Sequence, residues 1–423
     1  MREMKDSGIE WIGNIPAHWQ VFPHKYVMHK EKTICEHYSG EDIISLTMNG
    51  VIVRDLSAGG KMPTTFDGYQ YVEPEDLLLC LFDIDVTPRC VGIVRNYGVT
   101  SPAYSRFKVH EGYHNAYYDY LLRFIDDEKV FIHLSKNLRS SLTETDFGAI
   151  KTIVPPLEEQ IRIAFFLDIK CAEIDAVIER TKATIEEYKK LKQSIITEAV
   201  TKGIRGDRPM KDSGVDWIGD IPADWNRNSI KNVATTCSGG TPNSGDESLY
   251  DGDINWICSY DLKEKPIFES GRKITQKGAD SIAGKMQSAG SILIAMYGGS
   301  GTIGNSGILE CEARTNQAIC SVKFNNDYII DYYGFYYILA IRKHWMIYAV
   351  GTRKDPNISQ DVVKRMPCVI PPLVEQVEII EYLDKKCVEM DTLIAQKTAL
   401  LDEMESYKKS VIYEYATGKK EVV

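Results

Sequence analysis

A chain of 423 residues, 43% hydrophobic and 26% charged, has room for two or three globular domains. It has no apolar run near the roughly 18 residues of a membrane span, and its first residues lack the apolar stretch of a secretory signal, so a cytoplasmic protein is expected. Ten scattered cysteines without a C-x-x-C pair argue against a zinc site or a disulfide framework, and the net charge of −10 gives no general attraction to nucleic acid.

The first recognisable block is Met4-Lys-Asp-Ser-Gly-Ile-Glu-Trp-Ile-Gly-Asn-Ile-Pro-Ala-His-Trp19. A mixed segment runs from there to residue 154, holding 14 Lys+Arg against 18 Asp+Glu. Its histidines, His24, His29, His37, His110, His114 and His133, show no metal-ligand spacing, and no metal site is expected. Pro155-Pro156 then ends a strand and suits a helix start, with Glu158 and Glu159 in the favourable first turn. From Leu157, apolar or small residues fall at 161, 164, 167, 171, 174, 178, 181, 185, 188, 191 and 195. Steps of three and four predict one long helix with a heptad seam, ending at Gly203.

The chain then repeats itself. Met210-Lys-Asp-Ser-Gly-Val-Asp-Trp-Ile-Gly-Asp-Ile-Pro-Ala-Asp-Trp225 matches the first block at 12 of 16 positions. Residues 226–370, with 16 Lys+Arg against 14 Asp+Glu, show little similarity to 20–154. Tyr332-Tyr333 and Tyr336-Tyr337 have helical spacing and read as core. Pro371-Pro-Leu-Val-Glu-Gln-Val then opens a second seam at 373, 377, 380, 383, 387, 390, 394, 397, 401, 404, 407 and 411, with Lys397 its one break and Gly418 its stop. Each helix, about 44 residues, would span roughly 66 Å.

Neither helix can bury its seam alone. Antiparallel packing of the two is the economical solution, and packing of each on its neighbouring domain is the alternative. The expected fold is α+β (mixed): two α/β domains separated by two long antiparallel coiled-coil helices, with an internal pseudo-twofold repeat. The boundaries are 1–154, 155–203, 204–370 and 371–423. Such a pair would set two unlike domains at opposite ends, which suits a split, asymmetric DNA target.

On the Pro-Pro-Leu-x-Glu-Gln openings at 155–160 and 371–376 and the Trp-Ile-Gly-x-Ile-Pro-x-x-Trp blocks at 11–19 and 217–225, the chain resembles the specificity subunit of type I restriction–modification systems. Ser238-Gly-Gly-Thr-Pro242, Gly252-Asp-Ile-Asn-Trp-Ile257 and Gly290-Ser-Ile-Leu-Ile-Ala-Met-Tyr297 look like parts of that family's target-recognition domain. Ile44-Ser-Leu-Thr47 and Glu73-Pro-Glu-Asp-Leu77 look like another version of it. The resemblance implies a non-catalytic subunit that binds double-stranded DNA, one domain per half-target. It also implies two modification (adenine methyltransferase) subunits and ATP-driven restriction subunits as partners. This chain would need no cofactor, while the partners would use S-adenosylmethionine, ATP and Mg.

The residues offer no catalytic pattern: no G-x-x-x-x-G-K-[ST] loop, no His-Glu-x-x-His and no Ser/His/Asp arrangement. Gly299-Ser-Gly301-Thr-Ile-Gly304 fits G-x-G-x-x-G, but Asn305-Ser-Gly-Ile-Leu-Glu reads as a turn into another strand, where a dinucleotide site needs a helix. A protein-only scaffold, a nucleotide-binding enzyme and a subunit of a truncated system that serves methylation alone remain the alternatives. Candidate DNA-contacting residues in the first domain are Thr47, Asn49, Arg54, Arg89, Tyr104, Arg106, Asn137 and Arg139. In the second they are Ser238, Thr241, Asn243, Ser259, Tyr297, Ser300, Thr302, Arg314, Asn316, Gln317, Arg353 and Lys354.

Overall fold

The computed structural model describes residues 2–48, 50–58, 63–135, 140–298, 301–351 and 356–422. Two long helices, Leu157–Lys202 and Leu373–Ala416, are present where the seams predict them. No helix among the described residues is long and apolar enough to cross a membrane. The chain divides into two compact units, Met1–Lys182 with Ala399–Val423, and Ala183–Thr398. The division falls within the helices, so each unit owns the start of one helix and the end of the other.

In the first unit, strands Gly50–Val53, Ile43–Thr47, Gly98–Thr100 and Gln70–Val72 form one sheet in that order. Met28–Glu31, Ser105–Val109, Leu77–Leu79 and Val91–Ile93 form a second. Leu77, Leu78 and Leu79 are all fully buried, so this strand is covered on both faces. The helix Asn115–Asp127 lays Tyr117, Leu121 and Ile125 into the same core as Leu167, Cys171, Ile174 and Ile178 of the first long helix. Val411, Ile412 and Ala416 of the second long helix complete that core. Phe166 meets Tyr415 (4.3 Å between ring centres), and Asp175 pairs with Lys408 at 2.6 Å. One number rises as the other falls, so these helical segments run antiparallel.

The second unit repeats this plan. A five-stranded sheet is ordered Ala234–Ser238, Ile319–Phe324, Ile292–Ala295, Ser306–Leu309 and Pro266–Ile267. A three-stranded one holds Lys273–Ile274, Tyr250–Ile257 and Ala313–Thr315. Both units mix parallel and antiparallel pairing. Asp391 pairs with Lys192 at 2.7 Å, and Arg205, just past the end of the first long helix, with Glu378 at 2.8 Å, so these segments again run antiparallel.

The burial of the helices corrects the predicted seam at its ends. Residues 164, 167, 171, 174, 178, 181 and 185 are buried as expected, but Leu157, Ile161 and Leu191 face solvent. Ile163 and Ile196 turn inward instead. There the helix packs on the globular part of its unit as well as on the other helix, so the buried stripe is set by two neighbours and departs from strict heptad positions.

The repeated motifs have a physical reading. In Pro155-Pro-Leu-Glu-Glu-Gln, the Gln160 amide donates to the Pro155 carbonyl (2.8 Å) and its oxygen accepts from His114 N–H (2.9 Å). Gln376 does the same with Pro371 (2.9 Å) and Ile330 (2.8 Å). The preceding glutamate, Glu159 or Glu375, accepts the indole N–H of Trp19 (3.0 Å) or Trp225 (2.9 Å). An arginine lies over each indole and pairs with the same carboxylate, Arg2 in one unit and Arg208 in the other. Although burial opposes it, hydrogen bonds from His18, Trp19 and Arg2 hold the Glu159 carboxyl below its usual range.

Both predicted stop glycines have left-handed backbone, Gly203 at φ +79° and Gly418 at φ +71°. A side chain on Gly418 would meet Pro16 and Trp19 within 2.7 Å; one on Gly203 would meet Arg208 and Glu375 within 2.8 Å. The short block, the helix start and the other helix's end are thus one interlocked joint in each unit.

Candidate nucleic-acid interface

In the second domain five strand ends meet at one edge. Ser238 is opposite Cys320 and Ala295 opposite Ile319, while Ile257 runs parallel beside Thr315. Asn316 N–H donates to the Ile257 carbonyl, Gly240 N–H to Thr315 and Met296 N–H to Ala318, which ties the two sheets together there. Gly239 permits the closest approach: a Cβ on it would lie 1.8 Å from the Thr315 oxygen.

Ser238, Thr241, Ser259, Tyr297, Thr302, Asn316 and Gln317 all belong to this edge. Thr241 Oγ1 hydrogen-bonds Gln317 Oε1, and Ser238 Oγ is 3.4 Å from Gln360 Oε1. Thr302 Oγ1 donates to the Gly298 carbonyl (2.9 Å), and a Cβ on Gly298 would touch both Thr302 and Ser259. Asn316 Oδ1 accepts from Ala318 N–H, which shapes the turn and leaves its amide donors pointing elsewhere. Tyr297 is half-buried against the unit's main core. Asn243 is exposed and accepts Gly245 N–H, a local turn farther along the loop.

In the first domain a cavity of about 290 Å³ opens at the end of strand Ile43–Thr47 and includes Thr47, Arg89 and Tyr104 in its wall. Arg89 Nε donates to the Met48 carbonyl (3.0 Å), and a terminal nitrogen is 3.7 Å from Asp127. Arg54 makes no ion pair among the described residues; burial raises the pKa of the Tyr104 hydroxyl, and the Arg54 charge acts weakly the other way.

Two of the candidate cations are not at a DNA-facing surface. Arg106 is 2% exposed, paired with Asp76 at 2.5 Å, and donates to the Tyr71 carbonyl at 3.1 Å. Arg314 is 7% exposed and gives its terminal nitrogens to the carbonyls of Gly284, Ala279 and Ile282. Both are buried and spend most of their donors inside the domain, where they hold strands and loops together. Asn49, Asn137, Arg139, Ser300, Arg353 and Lys354 lie outside the described residues. After Gly301–Gly304 the chain enters Ser306–Leu309, antiparallel to Ile292–Ala295, where a dinucleotide fold would begin a helix.

Sequence reasoning missed Met48 and Phe82, apolar residues at the mouth of the first domain's cavity that are 61% and 39% exposed. Their signal was weak, because an isolated apolar residue in a loop reads as ordinary.

A family model for the type I restriction modification DNA specificity domain matches residues 222–402. The chain is thus similar to type I restriction–modification specificity subunits. The MjaX specificity subunit of a Methanocaldococcus jannaschii type I restriction enzyme is 24% identical over 308 residues, covering 71% of this chain and 67% of the relative. The MjaIX specificity subunit of the same organism is 24% identical over 169 residues, 39% of this chain and 38% of the relative. A solved structure concerned with complex assembly and conformational transition of the type I R-M system contains a chain of like fold. Its TM-score is 0.71 at 14% identity, covering 96% of this chain and 99% of that one. The second domain's edge therefore lies wholly inside the segment matched as a DNA specificity domain.

Proposed function

We propose that the chain is the sequence-reading, non-catalytic subunit of a type I restriction–modification complex, with one recognition domain for each half of a split, asymmetric DNA target. The observation that carries this reading is a duplicated joint holding unlike domains. Trp19–Glu159–Arg2 and Trp225–Glu375–Arg208 are equivalent, while the sheets beyond them differ in strand order and in the side chains they gather. A frame kept constant around two different surfaces suits one kind of partner and two different base sequences. DNA and the other subunits of the complex are its partners. The long helices set the gap and dock two modification subunits, which bring S-adenosylmethionine; restriction subunits bring ATP and Mg. Those subunits also line the DNA, which offsets the acidic balance of this chain.

Sequence selection tests the reading: random duplexes retained by this chain with its methyltransferase partner are sequenced. A split motif with a fixed gap is expected, and replacing residues 20–154 alters one half alone. Retention without sequence preference overturns it in favour of a protein scaffold.

A further inference from the structure

The first domain's cavity has a chemical character that the second domain's polar edge lacks. Leu46, Met48, Phe82 and Pro88 give it an apolar mouth. Met48 and Phe82 are exposed there without serving the core, and Arg89 ties the Met48 backbone across to their loop. The threonine hydroxyls in the wall donate inward, Thr47 to the Gly50 carbonyl (2.9 Å) and Thr87 to the Asp83 carbonyl (2.8 Å). Tyr104 is different: its hydroxyl has no hydrogen-bond partner among the described residues.

This set discriminates among bases. Among the described residues no carboxylate lines the cavity to accept a cytosine amino group. No Asn or Gln among them lines it for adenine, and Arg89 is held away from a guanine edge, its Nε on the Met48 carbonyl and a terminal nitrogen 3.7 Å from Asp127. Thymine alone presents a methyl group beside a lone acceptor, O4. We propose that the first recognition domain reads a thymine here, its 5-methyl seated between Met48 and Phe82 and its O4 accepting from the Tyr104 hydroxyl. The inference rests on the proposed DNA-reading function and assigns to residues 20–154 a thymine in their half of the target.

Uracil, thymine without the methyl, provides the test. Once selection has defined the motif, each thymine in the half-site governed by residues 20–154 is replaced by deoxyuridine. Competition binding is then measured with the full chain and its methyltransferase partner at fixed salt. One position is expected to lose about four-fold in affinity, the worth of one buried methyl. Met48→Ala and Phe82→Ala should each bring the thymine and uracil duplexes closer together. Tyr104→Phe should weaken both equally. Discrimination in the other half-site serves as the internal check that each variant is folded and assembled. A motif whose first half contains no uracil-sensitive thymine overturns the inference and leaves the DNA-reading function standing, as does a uracil penalty undiminished in both Met48 and Phe82 variants. Absence of any motif overturns both.

Discussion

Replacing Glu375 by alanine removes a fully buried carboxylate that Arg208 and Trp225 share. Arg208 reaches its two oxygens at 2.7 and 3.0 Å, and the Trp225 indole donates at 2.9 Å. Charged hydrogen bonds contribute about 1.5–3 kcal/mol each, but Arg208 keeps a bond to the Lys202 carbonyl and some contact with water. Breaking a buried pair from one side costs about 3–5 kcal/mol, so about 4 kcal/mol is expected for Glu375→Ala. With a urea slope of about 2 kcal/mol per molar, the midpoint of the second unit's transition falls by about 2 M. Peptide-resolved hydrogen exchange during the titration assigns the loss to residues 183–398. Glu375→Leu with Arg208→Leu should lose less than the single change, because no charge is then left buried without its partner. A single-variant loss below about 1 kcal/mol, or a double variant worse than the single, would refute the claim that this joint holds the unit together.

Three further outcomes are expected from the same structure. His24 is fully buried and stacked on Phe147, and burial lowers its pKa from 6.5 to about 4. The unfolded chain therefore binds the proton first, so this contribution to stability is complete above pH 6.5 and is lost as pH falls from there to about 4. It amounts to about 3 kcal/mol, and urea midpoints of His24→Phe should decline less over that window. Gly418→Ala, strained by positive φ and crowded by Pro16 and Trp19, should cost about 2 kcal/mol or more, read as a lowered thermal midpoint of the first unit. Arg106→Met strands the buried Asp76 carboxylate and should lower stability by about 3–5 kcal/mol. The same variant, assayed well below its midpoint, should keep the selected DNA motif; a changed motif would return Arg106 to the readers.

The long helices and their joints were legible because they obey short-range rules: periodicity, proline at the start, glycine at the end. Leu157 and Ile161 were misplaced because a heptad reading assumes one neighbour, and the helix start has two. Similarity between the domains was also greater than it looked. Tyr120 O–H donates to Asp168 and Tyr336 O–H to Asp384, each at an offset of 216, and Tyr117 and Tyr333 reach the Ala416 and Val200 carbonyls. These tyrosines sit among unrelated neighbours, so no run of identities exposed them. Arg106 and Arg314 could not be told from surface cations, because their acceptors lie far away in sequence. Thr47, Arg89 and Tyr104 come from separate segments, and only the fold of the first domain brings them to one wall.

The tyrosine bonds also say where one module ends and the chassis begins. Tyr117 and Tyr120 lie inside the stretch that differs between repeats, yet they fasten to both long helices, as Tyr333 and Tyr336 do. The paired strands Gln20–Pro23 with Lys151–Val154, and Asn226–Ser229 with Pro367–Ile370, likewise close each module at its base. The part of each unit that lies between its base strand and its tyrosine helix is therefore shorter than the dissimilar region: about 24–113 in one repeat and 230–329 in the other. Grafts cut at those seams keep every tyrosine anchor of the recipient, whereas grafts cut at the helix starts replace them with the donor's own tyrosines.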